Sequence, residues 1–140
     1  MSTETLTAED ISFLARPLYG LFTAAGGPQP PQPRPVWFEV TADGAVQLFT
    51  GPDTVKVRRL RRDPRASLVV TAPVGERERW VSVAGPVTIV PDGADALVER
   101  LAARYWDPTD PVRADDLTAM RAEQWVRVVI RPDAVMRYKA

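Results

Sequence analysis

No cysteine and no histidine occur anywhere in the 140 residues. Without thiols there is no disulfide staple and no cysteine nucleophile, and without imidazole the Ser-His-Asp arrangement and the common zinc ligand sets are excluded as well. An enzyme built on this chain has to take its chemistry from a cofactor. Net charge is also missing, with 18 Lys plus Arg against 18 Asp plus Glu. No global field therefore draws the chain to nucleic acid or to an anionic membrane. No apolar run approaches the ~20 residues of a spanning helix. The N-terminal stretch carries Glu4, Glu9 and Asp10 and lacks an apolar core segment, so it does not read as a signal peptide, and the expected localisation is cytoplasmic. The length suits a single domain over 1–140, large enough for its own core.

What the chain does have is a concentrated basic segment. Lys56, Arg58, Arg59, Arg61, Arg62 and Arg65 place six cations in ten residues, opposed locally only by Asp63. Asp53 or Thr54 can cap a helix starting here, and Asp63-Pro64 ends it because the residue before proline is pushed out of the helical region. The unpaired N–H groups of the first turn add a partial positive charge beside Lys56. Lys56 and Arg59, three apart, share a face of that helix, and Leu60 seats it. A basic run of this kind is a solvated face unless its surroundings make it an anion site. Its surroundings are an apolar strand and a Gly51-Pro52 loop before it, and the apolar strand Ser67 to Val70 after it.

Along the rest of the chain, residues 1–6 read as loose. Thr7 with Asp10 forms a capping-box start to a short helix that ends at Pro17. Leu18 to Ala25 reads as a first strand. Residues 26–35 form a Pro-rich loop, with five prolines between Pro28 and Pro35 that cannot pair in a sheet interior. Val36, Phe38 and Val40 alternate with Trp37 and Glu39 as one half-buried strand; Ala42-Asp43-Gly44 turns it into a second, Val46 to Thr50. Trp80 to Val90 is a long strand with a bend at Gly85-Pro86. Asp92 caps a helix from Gly93 to Trp106 whose stripe is Leu97, Val98, Leu101 and Tyr105. Asp107, Asp110, Asp115 and Asp116 lack ligand spacing, so no metal site is expected. Leu117 to Arg121 reads as a short helical turn, Trp125 to Arg131 as a strand, and Ala134 to Tyr138 as a last edge strand. The expected fold is mainly β (α+β), with six or seven antiparallel strands and two or three helices closing into a barrel.

Taken in order, several pieces resemble one family. Phe49-Thr50, the loop Gly51 to Val55, Lys56, and then Arg59-Leu60-Arg61-Arg62-Asp63-Pro64-Arg65-Ala66-Ser67-Leu68-Val69-Val70 are similar to the corresponding run in the pyridoxine 5'-phosphate oxidase-like family of split β-barrel flavoproteins, and within it most closely to the deazaflavin (coenzyme F-420)-dependent oxidoreductases. Arg34-Pro35-Val36-Trp37-Phe38 upstream and Val83-Ala84-Gly85 downstream extend the likeness over roughly Tyr19 to Val90. The resemblance implies a split β-barrel, FMN-binding-like, with a flavin-type ring held in a groove at a homodimer interface. It implies Lys56 as the phosphate lysine and Arg59, where relatives often carry Asn, as a second anchor. Arg58, Thr50 and Arg34 join the candidate cofactor-binding set, with Val36, Trp37 and Phe38 lying beside the ring.

The departures from the flavin mononucleotide (FMN) oxidases are specific. Their strand pattern Arg-x-x-x-x-Lys reads here Arg34 to Glu39, and their Ser-Arg-Lys reads Thr54-Val55-Lys56. Two cations for a dianionic terminal phosphate are missing, one of them reversed. The C-terminal Trp and Arg-x-His arrangement of the vitamin-converting enzymes is absent. The expectation is an oxidoreductase that binds coenzyme F-420 and transfers hydride to a small-molecule substrate. The alternatives are an FMN-binding oxidase or reductase of the same fold, or a non-catalytic protein that binds a flavin or another anionic ligand. No catalytic side chain is assigned, and Tyr19, Tyr105 and Tyr138 read first as packing residues. A nucleic-acid module is disfavoured because the basic patch is confined to one helix without interleaved aromatics.

Overall fold

A computed structural model describes residues 5–140. The elements in order are α1 (Ala8–Leu14), β1 (Gly20–Ala24), β2 (Arg34–Val36), β3 (Glu39–Val40), β4 (Val46–Thr50), α2 (Val55–Arg62), β5 (Arg65–Thr71), β6 (Arg79–Val90), α3 (Ala94–Tyr105), α4 (Pro111–Arg121), β7 (Val126–Ile130) and β8 (Ala134–Lys139). Every strand pairing is antiparallel, in the order β2-β1-β5-β6-β7-β4-β3, with β8 also on β6. The result is a curled, split-barrel sheet. Its concave side holds Phe22, Phe38, Leu48, Leu60, Leu68, Val83, Val128 and Ile130, all nearly or wholly inaccessible.

The long strand β6 is the spine. Residues Arg79 to Ala84 pair with β8 and residues Val87 to Val90 pair with β7. The bend expected at Gly85-Pro86 is therefore a change of partner within one continuous strand. Glycine is required at this point, because a Cβ on Gly85 would lie 2.1 Å from the carbonyl oxygen of Arg131, where β7 passes into β8.

Local rules account for the helix starts. Thr7 and Asp10 form the reciprocal capping box expected of them. Thr54 caps α2, accepting from the Val57 N–H at 3.4 Å, and the helix stops at Asp63 as the following proline requires. Val57 and Leu60 point into the core while the arginines of α2 point away; burying each such side chain contributes about 1.5–3 kcal/mol.

Four expectations need correction. The single strand over Val36 to Val40 is two strands: β2 pairs with β1 and β3 pairs with β4. Between them the Phe38 N–H donates to the Tyr105 hydroxyl at 3.3 Å, and that hydroxyl donates to the Leu18 carbonyl at 2.7 Å. This division brings the strand count to eight among the described residues. The cap of α3 is Gly93 at φ 80°, with no side-chain cap bond, rather than Asp92, whose carbonyl instead accepts from Arg127 at 2.6 Å. The short turn at Leu117 is the end of an eleven-residue helix begun by an Asp110 cap with proline behind it. That helix has no buried residue, so its periodicity gave little signal, and among the described residues the helices number four rather than two or three. The expected looseness of residues 1–6 falls, for residues 1–4, outside the described residues.

Two measurements check this account. Tyr105→Phe removes the hydroxyl that bridges Leu18 and Phe38; urea unfolding should show a loss of about 1–3 kcal/mol, the cost of leaving buried backbone groups unpaired. Asp10 is buried, and its carboxylate receives two bonds from the Arg137 guanidinium, at 3.1 and 2.8 Å. Burial pushes its pKa up, but the Arg137 and Thr7 bonds together outweigh burial and hold it below its ordinary 3.8. A depressed carboxylate stabilises the fold above its unfolded pKa and loses that contribution as pH falls through the lower folded value. Asp10→Ala should therefore cost about 1.5–3 kcal/mol at pH 7. The gap to wild type should persist at pH 5 and close below pH 3.8.

Candidate functional site

A groove of about 720 Å³ opens where β2, β4, α2 and the end of α4 converge, lined by Tyr19, Pro35, Val36, Trp37, Phe49, Lys56 and Met120. Its wall is a lattice of aromatic rings. Trp37 stacks on Tyr105 with centroids 5.1 Å apart and planes within 6°, and Tyr105 stacks in turn on Tyr19 at 5.8 Å. Trp106 and Phe49 meet Trp37 edge-on at 4.7 and 6.2 Å, and Trp125 meets Phe49 at 5.0 Å. Offset and edge-to-face pairs of this kind each add about 0.5–1.5 kcal/mol beyond burial, so the wall is rigid.

Among the described residues Lys56 is the only charged one lining the groove, in the second position of α2. Its amine lies 5.2 Å from the centre of the buried Phe22 ring. Among the described residues no carboxylate comes within salt-bridge distance of it. Burial first, and then the nearby Arg34 charge, push its pKa below the ordinary lysine value. A half-buried cation held beside another cation, with no counter-charge, is complementary to an anionic group from outside the chain.

The other sequence-derived candidates divide. Val36 and Trp37 line the groove with Lys56, and Arg34 acts on Lys56 through its charge. Phe38 is wholly buried, and its N–H is already bonded to Tyr105. Thr50 is buried with its hydroxyl 3.2 Å from that of Thr54, in the cap of α2. Arg58 folds back to donate to the Asp53 carbonyl at 2.8 Å, closing its own loop. Arg59 lies against the Gly27 turn at the start of the Pro-rich loop and is not among the lining residues. Glu39, read from sequence as a repulsion near the phosphate, also lies outside the groove lining. It receives two bonds from Arg100, at 3.1 and 2.9 Å, and one from Gln47 at 2.7 Å. Its charge is met there by Arg100 and Gln47.

Tyr19, Phe49, Pro35 and Met120 belong to the groove without having been singled out as binding residues. Adjacent aromatics at Tyr105-Trp106 were the available hint of an aromatic wall. Met120 had none, since α4 reaches the groove only through tertiary packing, held by the Trp125 indole N–H donating to the Met120 carbonyl at 2.7 Å. Of the three tyrosines, Tyr105 has its hydroxyl committed, and Tyr138 stacks on Trp80 and is not among the lining residues. The acids before α4 serve as turn and cap acceptors, Asp107 for Thr109 and Asp110 for Val112. Among the described residues no helix is long and apolar enough to cross a membrane.

Comparison with solved structures gives a conserved hypothetical protein of Mycobacterium tuberculosis at TM-score 0.76, 24% identical over 99% of this chain and 87% of its own. An F420 reductase aligns at TM-score 0.69 and 29% identity, over 89% of this chain and 94% of that one. A FAD-binding protein of Mesorhizobium loti aligns at 0.64 and 21% identity, over 100% and 99%. Among curated proteins no sequence match is found. The family model described as pyridoxamine 5'-phosphate oxidase matches residues 6–131, nearly the whole chain, and the split-barrel order of strands agrees with it. The protein belongs to the pyridoxamine 5'-phosphate oxidase family.

Proposed function

We propose that this chain is a deazaflavin-dependent oxidoreductase, binding coenzyme F-420 in the aromatic groove, with Lys56 and Arg34 holding its phosphodiester. The observation that carries this reading is Lys56 itself, a cation without a carboxylate partner among the described residues, set in a groove otherwise lined by rings and apolar side chains. The groove suits a planar ring bearing a singly charged tail. A terminal phosphate dianion asks for more positive charge than Lys56 and Arg34 provide. Val55, at the start of α2, is exposed where an arginine would serve an FMN phosphate. The F420 reductase among the similar structures supports the choice, and the FAD-binding relative keeps a flavin as the second reading.

A bound deazaflavin would supply two-electron hydride transfer to a small substrate. The part of this chain is to bind and orient. The Trp37–Tyr105–Tyr19 stack gives a flat, stiff wall, Met120 and Phe49 exclude water, and Lys56 neutralises the anion through a charge-assisted bond.

A homodimer belongs to the proposal, and one surface favours it. The outward side chains of the sheet β1-β5-β6-β8 run in register as Leu21, Val69, Ser82 and Met136, then Thr71, Trp80 and Tyr138, then Thr23, Ser67, Ala84 and Ala134. None of these is charged; the charge on this side of the sheet comes at its edge, where Arg65 stands opposite Pro86 and is paired with Asp63. Met136 and Tyr138 are 66% and 50% exposed on this largely uncharged face, which a subunit contact would cover.

Three results are expected. In fluorescence titrations coenzyme F-420 should bind at least ten times more tightly than FMN, a gap of about 1.4 kcal/mol. The reverse order would replace the proposal with the flavin reading. Lys56→Ala should weaken F-420 binding by about 1.5–3 kcal/mol without lowering the melting temperature, while Arg61→Ala and Arg62→Ala change it little. Equal losses at all three positions would mean a diffuse basic surface instead of a site. Sedimentation at micromolar concentration should give a dimer, and Met136→Glu should convert it to a monomer with unchanged far-ultraviolet dichroism.

A further inference from the structure

Only two lysines occur in the chain, against sixteen arginines. Their settings are opposite. Lys139, on the exposed end of β8, gives its amine to the Glu9 carboxylate at 2.6 Å. Lys56 is half-buried between the Phe22 ring and the groove, with no ion pair among the described residues. A lysine that is desolvated, or that stands beside another cation, keeps more of its amine neutral and becomes a nucleophile. Lys56 meets both conditions, with the Phe22 side chain beneath it and the Arg34 charge close enough to act on it.

We propose that Lys56 is a carbonyl-reactive site, forming an imine with planar aromatic aldehydes that carry an anionic group. The aromatic ring of such a ligand fits against Trp37, Tyr19 and Phe49, and its anion is met by Arg34, which pairs across to β1 with the Phe22 lying beneath Lys56. In the reaction the neutral Nζ attacks the aldehyde carbon, the C–N bond forms, and the carbonyl oxygen takes up a proton to give a carbinolamine. Loss of that oxygen as water, with departure of the remaining N–H proton, leaves the C=N bond. No oxidant or reductant is consumed. Arginines cannot react in this way, so few amines compete with Lys56: Lys139, engaged with Glu9, and the N-terminal amine. The activity does not depend on the cofactor reading, although an occupant of the groove that uses Lys56 would block it.

The test uses the full chain without cofactor and pyridoxal 5'-phosphate as the probe, chosen as an aromatic aldehyde bearing a phosphate. Imine formation is followed by its visible absorbance, then trapped with borohydride and mapped by peptide mass spectrometry. Near neutral pH, at one equivalent of probe, labelling of Lys56 should exceed that of Lys139 and of the N-terminal amine at least tenfold. Equal labelling, or preference for Lys139, would overturn the proposal. Lys56→Arg should abolish the trapped adduct in the groove while preserving charge; should that variant fail to fold, the wild-type map alone decides. Benzaldehyde, which lacks the anion, should label Lys56 at least threefold more slowly, and Arg34→Ala should remove most of that difference. A difference untouched by Arg34→Ala would overturn the assignment of the anion to Arg34. Deazaflavin binding is measured separately by titration, so failure of either reading leaves the other open to its own result.

Discussion

The Tyr105 hydroxyl stands where a strand partner is missing. As the chain leaves the pairing of β2 with β1 for that of β3 with β4, Phe38 turns its ring wholly into the core, and its N–H has no ladder to join. Tyr105 accepts that N–H and donates to the Leu18 carbonyl, so one oxygen closes the gap between the two halves of the sheet and the end of α3. Buried backbone groups left unpaired are expensive, and the site of the split is therefore tied to this residue. The same bonds fix the plane of the Tyr105 ring, and Trp37 and Tyr19 stack on that plane. The flat wall of the groove follows from the need to pair a backbone amide.

Charge is managed in the opposite way on the surface and in the groove. Around the outside, guanidinium groups meet carboxylates in two-bond pairs: Arg16 with Glu76, Arg65 with Asp63, Arg100 with Glu39, Arg121 with Glu99. Exposed pairs of this sort contribute little to stability, about 0–1 kcal/mol each. What they do is neutralise charge locally where they form, while the basic run of α2 keeps its excess of cations. Lys56 departs from this pattern. It sits at the start of α2, where the first-turn amides add positive potential, beside Arg34 and over an aromatic ring, with no carboxylate aimed at it among the described residues. A cation kept this way costs stability, and an external anion recovers it.

Family membership fixes the scaffold more firmly than the reaction, because one fold hosts many chemistries. Around the groove lie elements that add little to the core: the exposed Val55 beside Lys56 at the start of α2, and the helix α4, which brings Met120 to the groove while burying none of its own residues. A helix held by one indole bond, one ion pair and a guanidinium over Trp106 can vary without disturbing the core. Such peripheral elements are where ligand choice is set on a conserved barrel.

Local chemistry was readable from the sequence by itself. The capping box at Thr7 and Asp10, the Thr54 start and Asp63-Pro64 stop of α2, the turn at Gly44, and the alternation that buries Val126, Val128 and Ile130 each depend on residues within a few positions of one another. The order of those elements, with Lys56 between them, was enough to suggest the family and the split barrel. Tertiary structure alone decided where long side chains go. Arg58 and Arg59 share a helix with Lys56, yet one closes its own loop and the other lies against Gly27, because a flexible guanidinium settles on whichever acceptor or surface folding brings near. Glu39, read in the motif as a reversed charge where FMN oxidases carry a lysine, is bonded to Arg100, sixty-one residues away, a partner no local pattern names. The break at Trp37-Phe38 and the arrival of Met120 were hidden for the same reason: both depend on contacts far apart in the chain, Phe38 with Tyr105 and α4 with the groove, which no short-range pattern encodes.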